Sequence, residues 1–264
     1  LGTVVNAKFP APVTMCTVFP ASEIIHSCWW ALGNAVPERN CAGWGKNSFP
    51  NASGKRSDGT TWVMYNWGGL SGAGAVNGRD GFNQIGPLVT LGGLTIPNAE
   101  SYERLYPVVV YKQEFRKDAA GVGKFRGGSG ICYEAYYEVP VEYSFRADGL
   151  ARDTGLGVQG GGDGKKGIVT LYPNADKINK LTPPDYGLLQ VEQGEIHIIS
   201  PAGGGFGDPL ERDVESVLRD VRDEIISLDA ARNLYGVIFK KDNSSLDIEA
   251  TEKLRNSKIN NLYS

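Results

Sequence analysis

"GICYEAYYEVPVEYSFRAD", residues 130–148, decides the fold class. Successive strand residues point to opposite faces of a sheet, so a buried face repeats every second position. Tyr133, Ala135, Tyr137 and Val139 follow that period, which predicts strand with one apolar face. Outward from it, "YPVVVYKQEFR" (106–116), "GIVTLYP" (167–173) and "GLLQVEQGEIHIIS" (187–200) continue the β series. In the last of these, Leu189-Val191 and Ile196-Ile198 flank Gln193-Gly194, and a hairpin is expected there. "TWVMYNW" (61–67) adds a strand by its aromatic and β-branched content.

Helical patterns stand at both ends. "PASEIIHSCWWALGNAV" (20–36) offers Ser22 as a cap, Ile25, Trp29, Leu32 and Val36 as one apolar face, and Pro37 as its stop. Near the other end Asp213 is a suitable cap for a helix carrying Val214, Val217, Leu218, Val221 and Ile225. Ser227 caps a second, short helix that Gly236 closes. The expected fold is α+β: a β-rich sandwich or barrel-like body, an N-terminal helix and a C-terminal helical pair. By domain, 1–105 is a helix and long-loop region, 106–240 the β-rich body with the C-terminal helices, and 241–264 a polar tail that lies on the surface or frays. Residues 38–60 and 68–81 read as long loops, the second long enough to suggest function.

Composition narrows the function classes. Lys plus Arg is 27 and Asp plus Glu is 30, a net charge of −3, which gives no reason to expect nucleic acid or an anionic membrane as partner. No apolar run is long enough to span a bilayer, and the chain reads as cytoplasmic. Cys16, Cys28, Cys41 and Cys132 contain no C-x-x-C pair, so neither zinc nor a disulfide framework is indicated, and buried free thiols are expected. Glycine departs from the ordinary. Its 35 residues among 264 are close to twice the usual share of about 7%, and tight turns between strands are the expected use.

Each nucleotide-like motif fails on physical grounds. "GLGVQG" (155–160) satisfies G-x-G-x-x-G, but "GGDGKKG" follows it and cannot open the helix that the motif needs. Lys166 stands where a Walker loop requires Ser or Thr. "GGGFGDP" (203–209) is separated from its helix by Pro209, and Asp208 and Glu211 would repel an anion. A turn from the strand to the helix is the expected reading. His26 and His197 lack a second histidine nearby and read as structural, with no local metal site. The carboxylate pairs Glu100/Glu103 and Asp80/Asp118 do not rise above surface charge by spacing alone.

Six segments together resemble the B subunit of the hydantoinase/oxoprolinase family: "GTVVNAKFPAPV" (2–13), "ALGNAVPER" (31–39), "DGFN" (80–83), "PNAESYERLYPVVV" (97–110), "KDAAGVGKFRGGSG" (117–130) and the run 203–238 that begins "GGGFGDPLERD". The resemblance is to the C-terminal half of such a subunit, and with Leu1 in place of Met it implies a separate N-terminal half as partner. It implies an ATP-dependent cyclic-amide hydrolase of hydantoinase or 5-oxoprolinase type, or the equivalent piece of an acetone/acetophenone-type carboxylase. A non-catalytic half that completes a partner's site is the third expectation. ATP and Mg are implied on a partner A-type subunit, and a divalent metal on the N-terminal half. Two departures bear on the reaction: "DAAG" (118–121) stands where the family has "DSGG", and "TLGGLTIPNAE" (90–100) replaces an Asn/Thr-rich segment. The candidate substrate or phosphate contacts are Arg126, Asp80, Glu100, Asp118, Gly203, Gly204, Gly205, Gly207 and Asp208, with Arg126 the best anion contact because a guanidinium suits phosphate or carboxylate.

Overall fold

The structure is a computed structural model that describes residue 6 and residues 8–10, 19–86, 88, 96–241 and 243–262. Helices α1 (Phe19–Gly33) and α2 (Ala99–Leu105) precede most of the sheet, and α3 (Val214–Arg222), α4 (Leu228–Asn233) and α5 (Ile248–Leu262) follow it. The strands are β1 (Asn51–Lys55), β2 (Thr61–Tyr65), β3 (Val108–Phe115), β4 (Ile131–Tyr137), β5 (Val141–Arg146), β6 (Ile168–Pro173), β7 (Tyr186–Val191) and β8 (Gly194–Ile199). They form two antiparallel sheets, β2-β1-β5-β7 and β3-β4-β8-β6, neither of which closes into a barrel.

The opening stretch turns out to be two strands, one in each sheet. Tyr133, Ala135 and Tyr137 of β4 and Val141, Tyr143 and Phe145 of β5 all face the core, so the alternation survives the corner at Pro140. The expected hairpin at Gln193-Gly194 does not form. β7 pairs with β5, and β8 pairs with β4 and β6. The segments 131–146 and 186–199 instead run as one long antiparallel ribbon that bends from one sheet into the other. Cys132 faces Ile199 and Tyr137 faces Gly194, but beyond the bend Val141 faces Val191, one residue out of step. That extra residue is the bulge by which a strand switches sheets.

Between the sheets the core is aromatic. Trp62 of β2 stacks on Tyr137 of β4 with centroids 5.8 Å apart, and Tyr143 of β5 meets Tyr137 edge-on at 5.7 Å. Such pairs contribute roughly 0.5–1.5 kcal/mol each beyond area burial. Strand β1, read from sequence as loop, is held by β2 on one side and β5 on the other. "NASGK" has little strand propensity of its own, so tertiary pairing decides it.

The glycine clusters are not mainly turns, and 203–207 is not the turn that its sequence suggests. After β8 the chain stays extended and bonds to a different neighbour at each residue. Gly72 N donates to Pro201 O (3.0 Å) and Ala75 N to Gly204 O (2.9 Å). Ala202 N donates to Lys165 O and Gly205 N to Gly162 O, both at 3.0 Å. Gly203 N donates to Gly128 O and Phe206 N to Phe125 O, both at 2.9 Å. The direction repeats every third residue, which is the period of the polyproline II helix. Residues 201–206 are therefore the axis of a bundle whose other members lie near 43, 72–75, 121–128 and 155–165. Its backbones touch: a Cβ on Gly203 would stand 1.8 Å from the Ala73 carbonyl oxygen.

Two helical expectations hold at the far end. Asp213 accepts from Ser216 N to cap α3, and Ser227 accepts from Ala230 N to cap α4. α3 ends at Arg222, so Ile225, expected on that helix, lies beyond it, but Val217, Leu218 and Ile225 still bury against Ala231, Tyr235 and Val237 in a second core. The polar segment after 241, expected to fray or lie on the surface, contains α5. It is tied down by polar contacts: Ile238 N donates to Thr251 Oγ1 (2.9 Å), and Arg255 donates to the carbonyls of Tyr235 (3.0 Å) and Arg212 (2.8 Å). At the other end, Ser22 lies inside α1 and does not cap it. The buried row of α1 is Ser22, His26 and Gly33, while Ile25 and Leu32 face outward. Cys41 is a buried free thiol as expected, Cys132 is half-buried and Cys28 is exposed, because it shares the outward face of α1; Cys16 lies outside the described residues. No helix among the described residues is long and apolar enough to cross a membrane.

Candidate functional site

Beside the glycine bundle, the loop 77–83 holds the first candidate, Asp80. Gly78 takes φ +88°, and Val76 and Arg79 exchange two backbone hydrogen bonds of 3.1 Å, which closes a tight turn just before Asp80. Asp80 Oδ1 accepts from Arg126 N and from Arg212 Nη1, and Oδ2 accepts from Arg212 Nη2, each at 2.7 Å. Arg212 Nη2 also donates to Asp220 Oδ2 (2.8 Å), and Arg126 Nε donates to Asp220 Oδ1 (3.1 Å). Two arginines and two aspartates thus close a neutral ring that joins the loop, the bundle and α3. Burial opposes the charge on Asp80, but Arg212 outweighs it and holds the carboxyl below the usual carboxylate range. Burial likewise opposes the charge on Arg212, and its two carboxylate partners overcome it and raise its pKa.

The other sequence candidates are placed as follows. Arg126 is buried and spends its guanidinium on Asp220, on the Gly127 carbonyl and, at 3.4 Å, on Asn83 Oδ1. Asn83 also accepts from Ser129 N at 2.8 Å, so "DGFN" and "FRGG" form one hydrogen-bonded unit. Asp118 accepts from Ser227 N at 2.7 Å and fixes the start of α4. Asp208 accepts from Leu210 N and caps the 3-10 turn Pro209–Glu211. Glu100 is exposed in the first turn of α2 and does not line the cleft described below. The N–H groups of Gly203, Gly204, Gly205 and Gly207 all donate to backbone carbonyls within the bundle, which leaves no donor there for a phosphate. Among the described residues no group of three His, Cys, Asp or Glu side chains lies close enough to hold a metal. These residues therefore fit neither ATP nor a metal ion.

Arg212 and Asp220 were missed by the sequence reading. Asp220 carried a signal: it falls between Val217, Leu218 and Val221 on the apolar side of α3, where a carboxylate needs a buried partner. Arg212 sits directly before the cap Asp213 in the most distinctive motif of the chain, and it is 2% exposed.

Asp80 forms part of the wall of a cleft of about 620 Å³. Ala73 and Gly74 of the bundle line it together with Trp29 of α1, Trp44, Phe82, Cys41, Arg39 and Arg79. Burial pushes the Cys41 thiol up to about 11, so it stays protonated at neutral pH, and its Sγ donates to the Ala42 carbonyl at 3.3 Å. Asp80, gripped by Arg212, and Cys41, hydrogen-bonded to the Ala42 carbonyl, both help to shape the cleft wall. The cleft has aromatic walls and two arginines, a lining suited to holding a small ring compound. Behind Trp44 a space of about 10 Å³ gathers Ser22, His26 and Trp44, whose Oγ, Nε2 and Nε1 are buried without a hydrogen-bond partner among the described residues. A larger groove of about 820 Å³ crosses β1, β2 and β5, but none of the sequence candidates lines it.

Residues 1–209 match the family described as Hydantoinase B/oxoprolinase. Caprolactamase subunit beta of Pseudomonas jessenii is 35% identical over 265 residues, which covers 96% of this chain and 45% of that one. The crystal structure of ATP-dependent caprolactamase from Pseudomonas jessenii superimposes with a TM-score of 0.80 at 32% identity, covering 95% of this chain and 44% of the other. Acetophenone carboxylase delta subunit of Aromatoleum aromaticum is 28% identical over 215 residues, 70% of this chain and 31% of that one. The chain belongs to the hydantoinase B/oxoprolinase family, and it spans under half the length of these relatives.

Proposed function

We propose that this member of the family supplies part of the B-type subunit of an ATP-dependent cyclic-amide hydrolase, of hydantoinase, oxoprolinase or lactamase type. The observation that carries the reading is the likeness to caprolactamase, at 32% identity and a TM-score of 0.80 over 95% of the chain. The cleft supports it: Trp29, Trp44 and Phe82 give apolar walls of the kind that a small lactam or hydantoin ring can pack against. ATP supplies the driving force for opening the amide, and we place it, with Mg, on an A-type partner subunit. We place a divalent metal on the remainder of the B-type sequence, since the residues described here fit neither group. This chain's own part is to bind the ring, exclude water from its apolar side and hold the cleft rigid through the Asp80–Arg212 lock. A soluble, cytoplasmic complex is the setting of this reading.

A second reading is the equivalent piece of an ATP-dependent ketone carboxylase, favoured by the acetophenone carboxylase delta match. Co-expression with the A-type subunit and the rest of the B-type sequence, followed by ATP turnover assays, separates the two. Turnover that depends on caprolactam, hydantoin or 5-oxoproline without bicarbonate is the expected result. A strict need for a ketone plus bicarbonate would overturn the hydrolase reading in favour of the second.

A further inference from the structure

The cleft carries positive charge that the fold does not use. Its one carboxylate among the described residues, Asp80, is cancelled by the bidentate grip of Arg212, and the ring of Asp80, Arg212, Asp220 and Arg126 is neutral as a whole. Arg39 and Arg79 remain. Both are exposed, and neither forms an ion pair with any described residue. A free surface arginine is ordinary, but these two line one concavity and their backbones are fixed. Arg39 ends the 3-10 turn Pro37–Arg39, which has proline in its first turn. Arg79 sits in the closed turn after Gly78, and its guanidinium lies 4.8 Å from the centroid of the Phe82 ring. That contact holds the guanidinium against an apolar surface, and its N–H donors make no hydrogen bond to a described residue.

We propose that Arg39 and Arg79 form an anion subsite of the cleft, which takes the phosphoryl or carboxylate group of a small ring-derived ligand while Trp29 and Trp44 take its apolar part. Two guanidinium groups in a concave, partly apolar site focus a positive potential on one region, and their planar forks match both oxyanions. The assignment rests on the function proposed above only for the identity of the ligand. Charge and geometry in the cleft carry the rest.

The test is titration of the purified full chain with inorganic phosphate and, separately, acetate, read by calorimetry and by tryptophan fluorescence, since Trp29 and Trp44 line the cleft. Saturable binding of at least one anion is expected, and the comparison of the two tells a phosphoryl site from a carboxylate site. Arg39→Ala with Arg79→Ala is expected to weaken it by at least about tenfold, as the loss of charge-assisted hydrogen bonds implies. Lysine at both positions should fall between, keeping charge without the fork. Lys180→Ala, at an exposed position outside the cleft, should bind as the parent does. An unchanged far-UV spectrum and melting temperature would exclude misfolding as the cause. Absence of saturable binding for both anions, or equal binding by the double alanine variant, would overturn the subsite. In the assembled complex the double variant should raise KM about tenfold, with a smaller change in kcat. If amide turnover is absent but the arginine-dependent binding persists, the functional reading fails and the subsite stands. If turnover is present and the double variant leaves both binding and KM unchanged, the subsite alone fails.

Discussion

Arg212 Nη1 and Nη2 each lie 2.7 Å from the Asp80 carboxylate, one to each oxygen, and this fork joins the loop 77–83 to the segment that opens α3. The residues are 132 positions apart in sequence. Their meeting makes the cleft wall and the C-terminal helices one mechanical unit, because Arg212 continues to Asp220 at 2.8 Å.

Asp220 is 6% exposed and is the common partner of two buried arginines. Asp220→Asn leaves both guanidinium groups short of their counter-charge, and breaking a buried pair from one side costs about 3–5 kcal/mol. Urea unfolding of the two proteins should show that loss as a lower midpoint with a similar slope. An Asp220→Asn protein within about 0.5 kcal/mol of the parent, the range of ordinary surface changes, would mean that the ring contributes no stability. Asp80 adds a pH dependence of known sign. Its folded pKa is lowered, so its contribution is present above the unfolded carboxyl value of about 3.9 and is lost as pH falls through the folded one. Asp80→Asn should remove that part of the acid sensitivity.

Gly203 and Gly59 separate two uses of glycine. At Gly203 the added Cβ would stand 1.8 Å from the Ala73 carbonyl oxygen, backbone against backbone, whereas at Gly59 nothing lies within 4 Å and only φ +85° opposes a side chain. Gly59→Ala should therefore cost about 1–2 kcal/mol, the left-handed strain of one residue. Gly203→Ala should exceed the roughly 1–3 kcal/mol of ordinary overpacking, because the bundle has to open. Thermal melts that rank the two in the opposite order would contradict the packing of the bundle.

The sheet was legible in the sequence wherever one face is buried, because Tyr133 to Tyr137 write their period directly. What connects those strands was not. The turn residues Gln193-Gly194 suit a hairpin locally, and only the one-residue slip between Tyr137↔Gly194 and Val141↔Val191 sends β7 and β8 into different sheets. The three-residue period of the glycine thread was also hidden, since hydrogen bonds to several separate neighbours leave no pattern within one segment. Asp80 and Arg126, singled out as candidate contacts, sit in a ring whose other half, Arg212 and Asp220, comes from the far end of the chain. Within 38–60 the strand β1 was hidden because its partners make it, and after 241 the helix α5 was hidden because Thr251 and Arg255 hold it through polar contacts.

His26 stacks on Trp30 at 5.8 Å and is buried, and its Nε2 has no partner among the described residues. Burial lowers its pKa below the ordinary 6.5, so the unfolded chain takes up a proton that the folded one refuses. The contribution of His26 is thus complete above about pH 6.5–7 and declines as pH falls from there towards its folded value. Melting temperatures from pH 5 to pH 8 should fall more on the acid side for the parent than for His26→Gln. Parallel curves for the two proteins would show that His26 does not carry the effect.

Leu32 is 64% exposed and Ile25 is 37% exposed on the side of α1 that the apolar spacing had assigned to the core. The helix instead turns Ser22, His26 and Gly33 inward, because the side it rests on is crowded: a Cβ on Gly33 would meet Asn40 Nδ2 at 2.2 Å. Leu32→Gln should then change the stability of this chain by no more than about 0.5 kcal/mol, as for other surface positions. A core leucine truncated to alanine would lose about 2–5 kcal/mol, and Leu70→Ala, at 0% exposure in the first core, is the matching control. Equal destabilisation by the two substitutions would show that α1 is rotated from the orientation described here, with Leu32 packed inward. A neutral Leu32→Gln beside a costly Leu70→Ala fixes the face of α1 that carries Trp29 into the cleft.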